Sequence, residues 1–184
     1  MKVLSGFLLA SMLASSASAQ TPKAQLPRFE DYPTKDIFSG VPAPPKIVTA
    51  IQRKYRTRIR EGVEKGWGVL RDDKEQNHPG PNFAGRMIVV QWGCAAPCLR
   101  MAIVDAVTGE VFLPPLLGDN EFALPLLCIG NSVSSNPEIA FRQASRLMVI
   151  KATPDWLKAR HHSYTHYYLW RDDRWILLYR EPLD

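Results

Sequence analysis

Two cysteines and three histidines are the residues of this chain whose types and spacing could carry out chemistry. Cys94 and Cys98 lie four positions apart, and His161, His162 and His166 follow further along the sequence. A thiolate activated by an imidazole base is a strong nucleophile. Cys94 or Cys98 acting with His162 or His166 therefore indicates a cysteine-dependent hydrolase or thiol enzyme as one hypothesis. No known local signature of a cysteine enzyme surrounds either cysteine, which counts against it.

A disulfide is the competing interpretation of the same cysteines, and it is the one we favour. Cys94, Cys98 and Cys128 are the three cysteines of the chain, so one thiol is left over. A bridge needs Cα atoms roughly 4.4–6.8 Å apart, whereas four extended residues span about 13 Å. We expect a Cys94–Cys98 disulfide across a turn at residues 95–97, with Cys128 buried as an apolar residue. A Cys98–Cys128 bridge stays open as the alternative.

A metal site is the third hypothesis, built from the histidines of residues 161–166 with or without cysteines. On a strand, His162 and His166 share a face but lie roughly 13 Å apart, at about 3.3 Å per residue. Zn–N bonds of about 2.1 Å do not close that gap without bending the chain. We therefore expect no metal and no other cofactor.

Two groups of side chains could form a binding surface. Arg53, Arg56 and Arg60 recur at helical spacing, which suits recognition of carboxylate or phosphate groups. The ordinary interpretation is the solvated face of an amphipathic helix. A second candidate group lies in the aromatic-rich C-terminal hairpin and consists of Tyr168, Trp170 and Trp175. Cross-strand packing is its ordinary explanation, and recognition of a glycan or protein is the functional one.

A long N-terminal helix is the clearest secondary-structure prediction. Apolar residues recur every four positions over residues 46–64, namely Ile47, Ile51, Tyr55, Ile59 and Val63. Pro45 precedes this stripe, and Gly62 and Gly66 mark its expected end. Residues 20–46, rich in proline, predict an extended arm.

Strands are predicted from residue 86 onward. The candidate segments are 86–92, apolar on both faces as expected of a central strand, 99–106, 110–113, 139–142, 146–152, 164–171 and 174–180. A short helix after residue 136 is an alternative for the fourth segment, and a helical turn is predicted from Thr153 to Lys158. We expect one α+β domain over residues 47–184: a meandering antiparallel sheet with one long N-terminal amphipathic helix packed on it and a disulfide-stapled hairpin.

The first nineteen residues read as a leader for export. Lys2 precedes a short apolar run, and the small residues Ala17-Ser18-Ala19 form a signal-peptidase pattern before Gln20. The run is too short for a membrane span, and we expect no transmembrane segment elsewhere. Without this leader the chain carries 22 basic and 18 acidic residues, a mild excess of positive charge. We therefore expect a periplasmic or secreted protein that does not bind nucleic acid.

Several segments resemble a family of small exported bacterial proteins. They are Asn82-Phe83-Ala84-Gly85, Val89 to Cys94, Cys98, Ala102 to Ala106 before Thr108-Gly109, Tyr55 to Arg60, and Ser145 to Ile150. The family has no settled activity, so the resemblance carries over no catalytic residue. Ala95 stands where the family has a second glycine after the first cysteine.

These observations favour a non-enzymatic exported domain that binds a protein or a cell-envelope component, in an inhibitory, immunity or accessory role. Export, the expected disulfide and the aromatic-rich hairpin support that prediction. The cysteine enzyme and the metal-binding protein are the alternatives. The ligand and the oligomeric state are not set by the sequence.

Overall fold

The computed structural model describes residues 25–66, 79–95, 98–114, 127–128, 139–152 and 163–183. For residues 93–95, 98–99, 127–128, 152, 163 and 183 it describes the backbone alone. Within these ranges a 3-10 turn at Phe29–Asp31 is followed by two helices, α1 at Ala50–Lys54 and α2 at Arg56–Lys65. The strands are β1 Met87–Ala95, β2 Cys98–Asp105, β3 Val111–Phe112, β4 Leu127–Cys128, β5 Ile139–Phe141, β6 Leu147–Ala152, β7 Ser163–Arg171 and β8 Arg174–Leu183.

The strands form two antiparallel sheets rather than the single predicted one. Sheet 1 has the order β1-β2-β3, and β4 also pairs with β2. Sheet 2 is a meander in the order β5-β6-β7-β8. The protein is therefore mostly β, and the predicted α+β class with one long N-terminal helix is wrong.

The predicted helix is interrupted at Tyr55 and begins later than its apolar stripe. Thr49 starts α1 by a capping box, in which its hydroxyl accepts from the backbone N–H of Gln52 at 3.2 Å. Tyr55 then has turn-like backbone angles, φ −109° and ψ 15°, and separates α1 from α2. Ile47 precedes the cap, and Ile51 is partly exposed, so a four-residue apolar period does not make one continuous helix here.

The molecule has three layers, with sheet 1 in the middle. One face of sheet 1 packs on α2, through a cluster that contains Ile59, Val63, Ile88, Val90, Trp92, Ala102, Val104 and Ala106. The other face packs on sheet 2, through a cluster that contains Phe83, Ala84, Met87, Val89, Met101, Ile103, Met148, Ile150, Tyr168 and Trp170. Both faces of β1 are apolar because sheet 1 is covered on both sides, although β1 lies at an edge of that sheet.

Gly62 lets α2 lie close against sheet 1. A Cβ atom at this position would collide with the side chain of buried Val90. Gly62 therefore serves packing inside α2, whereas Gly66 follows the last helical residue as the left-handed C-cap.

The described part of the arm runs along the domain as an extended strap. Its backbone N–H groups donate to turns of both sheets: Thr34 to Ala144, Phe38 to Gly85, Ala43 to Ala106 and Lys46 to Gly109, at 2.7–3.1 Å. Gly85 has φ +80°, and a Cβ atom there would collide with the carbonyl oxygen of Asp36 in the strap. Close packing of the strap therefore accounts for the glycine of the Asn82-Phe83-Ala84-Gly85 segment.

Around the cysteines of the predicted disulfide-stapled hairpin, the structure describes the backbone alone. The β1–β2 hairpin pairs Ala95 with Cys98, and a register shift lies between Gly93 and Ala95, so Cys94 does not oppose Cys98 in the ladder. Cys98 is instead the register partner of Cys128 on β4. The side chains of Cys94, Cys98 and Cys128 lie outside the described set, and the predicted Cys94–Cys98 bridge lies outside it with them.

Candidate functional site

Trp92 and Arg100 occupy directly opposite positions on β1 and β2. Directly opposite residues of an antiparallel pair project from the same face of the sheet. Trp92 belongs to the cluster that packs on α2, and 3% of its surface is exposed. The β-ladder therefore places an indole and a guanidinium side by side on the helix side of sheet 1.

Tyr55, at the break between the two helices, completes this arrangement. The centroid of its ring lies 5.4 Å from that of Trp92, and the Cζ atom of Arg100 lies 4.8 Å from the Tyr55 centroid. The Nζ atom of Lys54 lies 5.5 Å from the same centroid. We refer to Tyr55, Trp92 and Arg100 as the Arg100 cluster.

Two hydrogen-bond donors of the Arg100 cluster are shielded from solvent and unsatisfied. Neither the Nε1 atom of Trp92 nor the Nε atom of Arg100 has an acceptor in the part of the chain that the structure describes. A buried donor without an acceptor costs about 1–3 kcal/mol, and more when the donor is charged. A ligand that supplies acceptor oxygens would remove this cost.

The chemistry available to the Arg100 cluster is recognition rather than proton transfer. A guanidinium stays protonated in proteins, and an indole N–H does not titrate, so neither group serves as a general base. Both donate hydrogen bonds, and Arg100 adds a positive charge. The cluster is therefore suited to binding an anion.

Arg53, Arg56 and Arg60, the basic residues predicted as a binding face, lie exposed on α1 and α2 next to Tyr55 in the chain. Residues 50–65 contain six basic residues and two acidic ones. One of the arginines has an intramolecular role as well, because the Nη1 atom of Arg53 donates to the carbonyl of Val48 at 2.6 Å. The two helices on either side of Tyr55 therefore carry an excess of positive charge.

The aromatic candidates Tyr168, Trp170 and Trp175 lie between the two sheets, not on an open platform. The Trp170 and Trp175 rings are T-shaped, with centroids 5.1 Å apart, and the Trp175 ring stacks on that of Phe83 at 6.1 Å. Tyr168 and Trp170 are buried, and burial raises the pKa of Tyr168 to about 12. Packing of the core accounts for the three rings, although the Nε1 atom of Trp175 also has no acceptor among the described residues.

His166 is buried on β7 and stacks parallel to Tyr168, at a centroid distance of 6.0 Å. Burial lowers the pKa of its imidazole, and the charge of Arg180 adds to that shift. Cys94 and Cys98 belong to sheet 1, whereas His166 belongs to sheet 2. His161 and His162 lie outside the described residues, as does the helical turn predicted at 153–158.

No metal centre is formed by the residues that the structure describes. Among them, no three side chains of His, Cys, Asp or Glu lie together in a way that could hold an ion.

A second charged cluster lies at the other end of β2, around the buried carboxylate of Asp105. Its Oδ2 atom is 2.9 Å from the Nη2 atom of Arg86, and its Oδ1 atom accepts from the backbone N–H groups of Val107 and Thr108 at 2.8 and 3.3 Å. Both oxygens therefore have partners within the chain. Asp105 fixes the turn after β2 and is not a candidate for ligand binding.

Trp92 and Arg100 were not among the residues predicted from the sequence to form a site. One signal was available: Arg100 is a charge on a strand whose neighbours Leu99 and Met101 are apolar. The adjacency of Trp92 and Arg100 depends on the register of the hairpin, which the sequence pattern does not specify.

No protein-family model, curated protein or solved structure matches this chain. In the part of the chain that the structure describes, neither helix has the length and apolar character needed to span a membrane.

Proposed function

We propose that this chain is an exported, non-enzymatic domain that binds an anionic protein or cell-envelope component. The binding surface is the Arg100 cluster together with the basic face formed by Arg53, Arg56 and Arg60. The leader pattern of residues 1–19 supports the exported location.

One observation carries this proposal: the Nε1 atom of Trp92 and the Nε atom of Arg100 are buried, adjacent on the β-ladder and without acceptors among the described side chains. Buried polar groups in proteins are nearly always hydrogen-bonded, so this unpaired pair is suited to a ligand that supplies acceptors. The excess of basic residues on the helical pair supports a partner of negative charge, because it steers anions toward this surface.

Cosedimentation with defined envelope fractions tests the proposal. The purified protein is mixed with peptidoglycan sacculi, with vesicles that contain phosphatidylglycerol, and with solubilised envelope proteins coupled to beads. We expect one fraction to retain the protein, and retention to fall as salt screens the arginine charges.

Matched triple variants separate a specific surface from general positive charge. Arg53→Gln/Arg56→Gln/Arg60→Gln is expected to lower the affinity at least tenfold. The control, Lys35→Gln/Arg171→Gln/Arg174→Gln, removes three other exposed basic residues and is expected to bind like the unmodified chain. Retention of no fraction, or equal loss in both variants, would overturn the proposal.

A further inference from the structure

We propose that the ligand group bound by the Arg100 cluster is a carboxylate, with one oxygen accepting from the Nε–H of Arg100 and the other from the Nε1–H of Trp92. This inference rests on the proposed function and names the chemistry that the partner must present.

The composition of the cluster selects a carboxylate. Both unsatisfied atoms are donors only, so their ligand must supply acceptors. A carboxylate has two oxygens on one plane and a single negative charge, which matches two donors and the one guanidinium. Carboxylates also form the short, charge-assisted hydrogen bonds to arginine that neutral acceptors do not match.

Arg100 contacts the Tyr55 ring and still has a hydrogen-bond donor without a partner. The Cζ atom lies 4.8 Å from the centroid of the tyrosine ring, a distance at which the ring attracts the cation. A cation attracted to a ring keeps its N–H groups as hydrogen-bond donors. The Nε–H group of Arg100 has no acceptor among the described residues.

The supports of the cluster are regular structure and are formed before the ligand arrives. The β1–β2 ladder holds Trp92 opposite Arg100, and the backbone N–H of Tyr55 donates to Ile51 and Gln52 at the end of α1. Preorganisation of this kind lowers the entropic cost of binding. Only these backbone supports are preorganised: both nitrogens are shielded, so the groups that cover them must move aside for a carboxylate to bind.

The experiment follows the indole N–H signal of Trp92 by ¹⁵N-¹H NMR, with the signal assigned from Trp92→Phe. The full chain is titrated with four probes: N-acetyl-dialanine with a free C-terminus, the same peptide as its C-terminal amide, an N-acetyl-glutamate amide, and inorganic phosphate. We expect a saturable downfield shift with the free C-terminus or with the glutamate side chain. Whichever produces it identifies the source of the carboxylate. The dialanine amide, which has no carboxylate, is expected to cause none.

Arg100→Lys keeps the charge and removes the planar donors, and it is expected to weaken the response at least tenfold. Arg174→Lys at an exposed position of β8 is the matched control and is expected to respond like the unmodified chain. No shift with either carboxylate, a shift with phosphate alone, or an equal response in Arg100→Lys would overturn the inference. Retention of an envelope fraction without a carboxylate response would leave the proposed function standing and remove this ligand. A carboxylate response without retention of any envelope fraction would support this ligand and remove the proposed function.

Discussion

The two ends of β2 carry two charged clusters that differ in one respect. At Asp105 the buried carboxylate is paired with Arg86 and with two backbone N–H groups. At Arg100, five residues earlier on the same strand, the guanidinium Nε atom and the neighbouring Trp92 Nε1 atom have no acceptor in the described chain. The same strand and the same sheet support both clusters.

This difference separates a structural role from a binding role. A charge whose hydrogen bonds are all made within the chain stabilises the fold and has little left to offer a ligand. A buried donor without a partner costs stability in the free protein, and a ligand that supplies an acceptor removes that cost. We therefore expect substitutions at the Asp105 end to affect folding, and substitutions at the Arg100 end to affect binding.

Asp105→Asn is the substitution with the largest expected effect. It removes the charge that Arg86 faces while keeping the size of the side chain, and we expect the free energy of unfolding to fall by about 3 kcal/mol. Urea denaturation monitored by circular dichroism measures this change. Asp173→Asn is the matched control, because Asp173 is half-exposed and lies 3.7 Å from Arg86, and a loss below about 1 kcal/mol is expected. Equal losses in the two variants would remove the structural role assigned to Asp105.

A smaller effect is expected from His166, a buried group whose Nδ1 atom also has no partner among the described residues. Burial lowers the pKa of His166, while neighbouring backbone groups of Ile150 and Tyr164 offset that shift only in part. Below the usual histidine pKa of about 6.5, the unfolded chain therefore takes up a proton that the folded chain does not. The free energy of unfolding should decrease as the pH falls from about 6.5 toward the lowered pKa.

The midpoints of urea denaturation at several pH values test this effect. His166→Phe is the comparison variant, because it keeps an aromatic ring at this position and removes the titrating imidazole. We expect the pH-dependent loss to be smaller in His166→Phe than in the unmodified chain. Parallel pH dependences in the two proteins would show that other groups account for the loss. The expected outcome would assign the unpartnered nitrogen of His166 to burial alone. The Arg100 cluster differs, because two unpartnered donors lie side by side there.

Local signals in the sequence predicted most strands, because alternation and turn residues act over a few positions. The final hairpin was expected around Asp172-Asp173, and both residues have positive φ, 53° and 54°, as the two central residues of a tight hairpin turn require. The prediction of a single long helix was wrong because an apolar repeat does not reveal the cap at Thr49 or the turn at Tyr55.

Features that depend on long-range pairing could not be predicted in the same way. The sequence gives no measure of which strands share a sheet, so one sheet was expected where two are found. The Arg100 cluster depends on the β1–β2 register and on the position of Tyr55, and its residues are far apart in the chain. Packing was the expected role of Tyr168, Trp170 and Trp175, but their spacing did not show that they would pack between two sheets.

Arg100→Met is expected to have the smallest effect on stability and thereby gives the sharpest contrast with Asp105→Asn. The substitution loses the attraction between the guanidinium and the Tyr55 ring, which is worth about 0.5–1 kcal/mol. It also relieves the unpaired Nε–H group, which costs a similar amount or more. The free energy of unfolding should therefore fall by no more than about 1 kcal/mol, while the carboxylate response of the Trp92 indole is lost. A loss above about 2 kcal/mol would mean that the guanidinium has a structural partner within the chain, and the distinction between the two ends of β2 would then fail.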